Sequence, residues 1–190
     1  MLKLFEKMIL KTKRLILRPL KNSDAQSVTD NINNINVSKW LLVVPHPYSI
    51  KDARTWIKGN QKKWSAEPIT DYVFGIDLKS EHIIVGAIGI HHVDKFQSCG
   101  EVGYWLGENY HGNGYGSEAL KAVVDFAFNR LKLRRLEAGV FDGNSSSGSL
   151  LEKIGFRHEG EKLKAKRSKA DGKIHDEHIY GLLREEYSKR

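Results

Sequence analysis

Gly103-Tyr104-Trp105-Leu106-Gly107-Glu108-Asn109-Tyr110-His111-Gly112-Asn113-Gly114-Tyr115-Gly116-Ser117-Glu118-Ala119-Leu120 runs from a strand-like apolar segment through three alternating glycines directly into helical periodicity. Leu120, Val123, Val124, Ala127, Phe128 and Leu131 recur at three- and four-residue steps, which predicts a helix over 117–131. Glycine at 112, 114 and 116 lets successive backbone N–H groups turn inward around an anion, and the free N–H groups and dipole of the helix start add to the attraction. The backbone of His111 through Ser117 therefore reads as a phosphate cradle. Glu118, in the first helical turn, suits the dipole and is expected to point away from bound phosphate. A nucleotide-hydrolysing P-loop is excluded because no Gly-Lys-Ser/Thr ending follows, and Gly-x-Gly-x-Gly is not the dinucleotide fingerprint. Against an unliganded glycine-rich turn, what remains is a pyrophosphate held almost entirely by main-chain groups.

Three strand-like runs, 72–78, 83–90 and 101–106, with short polar turns between them predict an antiparallel meander. After the long helix, 135–141 reads as a strand parallel to 101–106, because a crossover helix returns the chain that way. Upstream, Arg14-Leu15-Ile16-Leu17-Arg18 alternates and stops at Pro19. Ala25, Val28, Ile32 and Ile35 then share a helix face, and Ser49-Ile50-Lys51-Asp52 caps a second helix carrying Ala53, Trp56, Ile57 and Trp64. Downstream, a short helix over 149–154 ends at Gly155, and strands near 156–166 and 174–183 turn through Asp171-Gly172. The fold class is α+β: a single domain over 1–190 with a mixed, mostly antiparallel central sheet flanked by helices.

A chain of 190 residues with 40% hydrophobic and 28% charged content supports one packed core and excludes collagenous or largely disordered classes. Cys99 is the single cysteine, so no internal disulfide or cysteine-based zinc site is expected; without an identified base it reads as a packed strand residue. No run matches a membrane span or a secretory signal, and the expectation is a cytoplasmic protein without a membrane partner. The formal charge is +8, but residues 1–21 hold seven Lys/Arg against one Glu, while 22–156 hold fourteen against fifteen acids. With the excess at the ends, 1–12 reads as a basic N-terminal extension and direct nucleic-acid binding is not expected.

The sequence resembles the GNAT superfamily of acetyl-CoA-dependent N-acetyltransferases, in its RimJ/RimL-like branch. The family loop reads Gln/Arg-x-x-Gly-x-Gly/Ala, matched by His111-Gly112-Asn113-Gly114-Tyr115-Gly116 with His111 at the Gln/Arg place. Arg14-Leu15-Ile16-Leu17-Arg18-Pro19-Leu20, Gly100-Glu101-Val102-Gly103-Tyr104-Trp105-Leu106 and Asn144-x-x-Ser147-x-x-x-Leu151-Glu152-Lys153-x-Gly155-Phe156 also fit, as do His175-Asp176 and Leu182-Leu183-Arg184-Glu185-Glu186.

The resemblance implies direct transfer of acetyl from acetyl-CoA to an amine in a ternary complex, with no metal. It implies that the parallel strands splay so that pantetheine lies beside Tyr104, Trp105, Leu106 and Asn144, with Gly103 as the place for a splaying bulge. Ser147 is the candidate to hold or protonate the leaving thiolate, Leu151 standing where other branches carry a tyrosine acid; Asn144 and Ser147 also read as helix-start polar residues. Glu101 is the candidate base, against a solvated strand-end charge. His91-His92 reads as a substrate contact, an alternative base or a structural pair.

The acceptor the resemblance implies is a protein N-terminal α-amine, such as that of a ribosomal protein. An α-amine near pKa 8 is about a tenth neutral at pH 7, whereas a lysine near 10.4 needs roughly 3 kcal/mol more help. A polyamine or aminoglycoside acceptor calls for an acidic cleft, and 41–70 offers only Asp52 and Glu67. A ribosome- or RNA-associated module without catalysis is the reading from another class, and a monomer or homodimer is expected.

Overall fold

Alternation in Leu15-Ile16-Leu17-Arg18 fully buries Leu15 and Leu17 and turns Ile16 and Arg18 to the opposite face, and this short strand is the second of eight. The computed structural model describes residues 8–188. In chain order the elements are β1 (Leu10–Lys11), β2 (Leu15–Arg18), α1 (Ala25–Ile32), α2 (Ile35–Ser38), α3 (Ile50–Trp64), β3 (Tyr72–Leu78), β4 (Ile83–Asp94) and β5 (Cys99–Leu106). They continue with α4 (Tyr115–Asp125), β6 (Arg135–Phe141), α5 (Ser145–Ile154), β7 (Arg157–Arg167), β8 (Ile174–Leu183) and α6 (Arg184–Tyr187). The strands form one sheet in the order β1-β2-β3-β4-β5-β6-β8-β7. Every neighbouring pair is antiparallel except β5 and β6.

The sheet separates two apolar clusters. One gathers Ala119, Leu120, Val123 and Val124 of α4 and Leu151 of α5 over the sheet, with Trp64, Tyr72, Phe74 and Phe126 packed edge to face at 5.3–5.6 Å. The other holds Ala25, Val28 and Ile32 of α1 and Ala53 and Ile57 of α3 against Ile84, Ala87 and Trp105. Arg18 joins the ends of this layer. Its Nη1 lies 2.8 Å from Asp24 and its Nε 2.8 Å from Asp77, all three side chains nearly buried.

Several boundaries differ from the sequence expectation, each for a local reason. The helix carrying Ala25, Val28 and Ile32 stops at Asn33, and the Asn34 side chain accepts from Asn36 N to start α2, so Ile35 is 37% exposed. The helix expected to reach 131 leaves α geometry at Asp125, and Phe126–Arg130 forms a π turn that still buries Phe126, Ala127 and Phe128. The helix α5 begins at Ser145, four residues before the expected 149, and ends at Gly155 with φ +117. Within the segment read as a basic arm, Leu10 and Lys11 pair with Leu17 and Ile16, while residues 1–7 of that segment lie outside the described residues.

Gly103 does not form the expected bulge. The β4–β5 register runs unbroken from Gly86↔Leu106 to His91↔Glu101, and the irregularity falls between His91 and Asp94, where His92 has φ +51. The splay arises instead because the parallel ladder contains only Cys99↔Arg135, Gly100↔Leu136 and Glu101↔Glu137. No helix among the described residues is long and apolar enough to cross a membrane.

Candidate active site

The cradle is built from left-handed glycines and braced from outside. Gly112 and Gly114 have φ +75 and +77, a region open to glycine at little cost, and Gly114 leads directly into α4. Arg14 Nη1 donates to the Asn113 carbonyl at 2.8 Å, and its guanidinium carbon lies 4.5 Å from the Tyr115 ring centre. Because a trans peptide sets N–H opposite C=O, this holds the N–H of Gly114 on the side away from Arg14. The N–H groups of Tyr115, Gly116 and Ser117 are those a helix start leaves without intrahelical partners.

Glu118 points away from the cradle, as expected. It accepts from Thr12 Oγ1 at 2.6 Å, Arg14 N at 2.7 Å and Arg14 Nε at 2.7 Å. Burial raises its pKa, but the Thr12 and Arg14 hydrogen bonds and the guanidinium charge outweigh this and hold the carboxyl below the usual range. A depressed folded-state pKa contributes stability that is present above the unfolded value, near 4.3, and is lost as pH falls through the folded value. Glu118→Gln is accordingly expected to lower the melting temperature at pH 7 and to narrow its gap from the wild type progressively as pH falls below about 4.3. Calorimetry across that range checks it.

Beyond Glu101↔Glu137, the residues from Val102 to Leu106 and from Ala138 to Phe141 bound a slot of about 600 Å³. Tyr104, Trp105, Leu106, His111, Gly112, Gly114, Tyr115, Gly116, Ser117, Asn144 and Ser147 all line it. Asn113 and Glu101 do not: Asn113 supplies the carbonyl held by Arg14, and Glu101 stands on the last ladder pair. The ring of His111 folds back so that Nε2 lies 2.9 Å from the Leu106 carbonyl. Leu41 and Leu42, from the 41–70 stretch expected at the acceptor cleft, line the slot in a wall with Asn36, Val37 and Trp40, which sequence reading missed. It is tied down where Asn34 and Asn36 donate to Glu108 at 2.5 and 3.0 Å. The apolar run Trp40-Leu41-Leu42 was the available signal.

Leu151 is fully buried beside the slot and carries no hydroxyl, yet a tyrosine reaches the Ser147 position from the opposite strand. Tyr104 Oη lies 2.9 Å from Ser147 Oγ and 3.2 Å from the Ser147 carbonyl. Burial pushes the Tyr104 phenol up to about 12, against a smaller opposing effect of the Ser147 hydrogen bond, so it stays protonated at neutral pH. Asn144 precedes α5 without a side-chain cap bond; its main-chain carbonyl accepts from Ser147 N and Gly148 N.

Trp105 packs with α1 and α3, so by alternation Glu101 and Gly103 face the same side. Leu136, Ala138 and Val140 pack with α4 and α5, so Glu137 and Gly139 face that side too. After the last ladder pair the two strands part, with Gly103 on β5 and Gly139 on β6 lining the slot, and this gap between them is a window in the sheet, narrowed on the β6 side by the Glu177 carboxylate. Its surroundings are more acidic than residues 41–70 implied. Glu101 is 51% exposed, Glu137 is paired with Arg135, and a Cβ on Gly139 would collide with the Glu177 carboxylate. Asp52, by contrast, is engaged in the Ser49 capping box. No group of three or more His, Cys, Asp or Glu that could hold a metal occurs among the described residues.

The sequence matches the acetyltransferase (GNAT) domain family over residues 14–157. The chain belongs to the GNAT family. It is 32% identical over 177 residues to the uncharacterized N-acetyltransferase p20 of Bacillus licheniformis, covering 93% of this chain and 97% of that protein. The crystal structure of a GNAT-family acetyltransferase from Bacillus anthracis superposes with a TM-score of 0.80 at 28% identity, over 94% of this chain and 99% of the other. Over a shorter stretch of 91 residues, it is 31% identical to the [ribosomal protein uS5]-alanine N-acetyltransferase of Escherichia coli, covering 47% and 46% of the two chains. The protein is thus an acetyl-CoA-dependent N-acetyltransferase related to the RimJ/RimL-like branch. The left-handed glycines, the bare main chain of the cradle and the gap between β5 and β6 fit acetyl-CoA.

Proposed function

We propose that this GNAT enzyme acetylates the N-terminal α-amine of a protein, such as a ribosomal protein, in the cytoplasm. The observation that carries the reading is the parting of β5 and β6 beyond Glu101↔Glu137, a gap lined by Gly103 and Gly139 through which a flexible terminus can approach. The similarity to a ribosomal-protein-alanine N-acetyltransferase supports a protein acceptor.

When bound, acetyl-CoA supplies the acetyl thioester. The backbone from Gly112 to Ser117 would hold its pyrophosphate, Tyr104, Trp105, Leu106 and Asn144 its pantetheine arm, and the hydroxyl pair Tyr104–Ser147 is placed to donate a proton to the departing thiolate. Glu101, at the rim of the window, draws the incoming ammonium toward the acetyl group. The same carboxylates favour a small cationic amine as a second reading. Incubating the enzyme with acetyl-CoA, ribosomal proteins, N-terminal peptides and polyamines, then mapping mass gains of acetyl by mass spectrometry, separates the two. Acetylation at a peptide or protein N-terminus is the expected result; acetylation of polyamines alone overturns the protein reading.

A further inference from the structure

We infer that His91, oriented by Asp71, is the general base that takes the proton from the acceptor amine at the window. The inference rests on the proposed amine acceptor site and adds a second group to it.

The alternation of β4 and the register His91↔Glu101 place the His91 ring on the window side of the sheet. It lies against two glycines paired with each other, Gly89 and Gly103. A Cβ on Gly103 would sit 3.6 Å from both His91 Cδ2 and Nε2, and a Cβ on Gly89 would sit 3.1 Å from Nε2. Absence of side chains at both positions leaves room for the imidazole beside Gly103, at the β5 edge of the gap. Its Nδ1 is 3.0 Å from Asp71 Oδ1. Asp71 is ionised: burial raises its pKa, but Lys63 Nζ at 2.9 Å and the bond to His91 outweigh that and hold it below its ordinary value. An ionised carboxylate accepts only, so Nδ1 is the protonated nitrogen and Nε2 carries the lone pair. Nε2 and Cδ2 form the ring edge beside Gly103, with Nε2 lying between Gly103 and Gly89. Carboxylate, imidazole and reacting proton thus stand in the order that orients a histidine base in hydrolase triads.

The groups facing His91 are Asp71 before β3, Lys63 on α3, Glu101 on β5 and His92 on its own strand, with ring centres 6.4 Å apart. Glu101 differs from His91 as a base. It is half exposed, and its carboxylate partner is His92 Nδ1 at 3.3 Å rather than a group that fixes its orientation.

In the step, one proton moves from the ammonium to Nε2, and the imidazolium is stabilised by Asp71. The neutral amine nitrogen bonds the acetyl carbon as the carbon–sulfur bond breaks. The second amine proton passes to the thiolate, and His91 returns its proton to solvent.

Two measurements test this. In the unliganded enzyme, imidazole nitrogen shifts are expected to show His91 as the Nδ1–H tautomer near pH 8, and Asp71→Asn is expected to disturb it. In turnover of an alanine-initiated peptide, His91→Gln and His91→Asn are expected to lower kcat by about 10²-fold or more and to remove the ascending limb of the pH profile, with acetyl-CoA affinity within twofold. Glu101→Gln is expected to retain that limb. An Nε2–H tautomer, or a preserved limb in a folded His91 variant, overturns the inference. If the wild type acetylates no amine, the acceptor reading fails, while the tautomer still decides the state of the dyad.

Discussion

Gly114→Val is expected to lower the affinity for acetyl-CoA by at least tenfold, read as loss of the ligand-induced rise in melting temperature. A β-branched residue at φ +77 is a conformational outlier, and left-handed geometry costs an L-residue about 1–2 kcal/mol. The added Cβ would also lie 3.4 Å from Arg14 Nη2, against the guanidinium that holds the Asn113 carbonyl. Both effects turn cradle N–H groups away from where phosphate must sit. The fold is much less affected, because Gly114 lies outside both apolar clusters and about 1–2 kcal/mol shifts the melting temperature of a chain this size by only about 2–8 °C. A ligand that binds only the folded state raises its stability in proportion to occupancy, so the unliganded and liganded melts separate the two effects.

Arg18→Met is the substitution with the largest expected effect on the fold. Arg18 donates through Nε to Asp77 and through Nη1 and Nη2 to Asp24, and these two carboxylates hold its guanidinium charged at any accessible pH despite the opposing effect of burial. Methionine keeps much of the volume and leaves two nearly buried carboxylates without their cation. Breaking a buried pair from one side costs about 3–5 kcal/mol, which for a chain of this size is about 6–20 °C in melting temperature. Calorimetry at pH 7.5 checks the size, and Arg18→Lys, which keeps a cation between the two carboxylates, is expected to lose less.

These two positions also show what the sequence made legible. The alternating glycines and the periodicity after them located the cradle, because main-chain recognition writes itself locally as residues that lack side chains. Strands β3, β6 and β8 matched their expected limits because apolar alternation and turn residues bound them tightly. Arg18 is legible in the sequence only as part of a strand motif. Its partners lie 6 and 59 residues away, and nothing local announces an ion pair made by folding.

The candidate base has the same history. His91 and His92 were visible as a pair, but Asp71 is 20 residues earlier and meets His91 only through the β3–β4 register, which a bulge between Ile76 and Asp77 shifts. Period-two patterning fixes which face a residue takes, not which residue stands opposite once a bulge intervenes. The Tyr104–Ser147 contact escaped for a related reason. It spans the gap between β5 and α5, and no hydrogen-bonded ladder carries the register across.

That gap has a mechanical meaning. The eight strands form two antiparallel half-sheets, β1 through β5 and β6 with β8 and β7, and the halves are stitched by a ladder of three residue pairs. The seam where the sheet is least sewn together is also the opening through which it works. A ligand lying along that opening would bridge strands that the ladder leaves unpaired, and the enzyme would be most nearly one continuous sheet while holding the molecule it consumes.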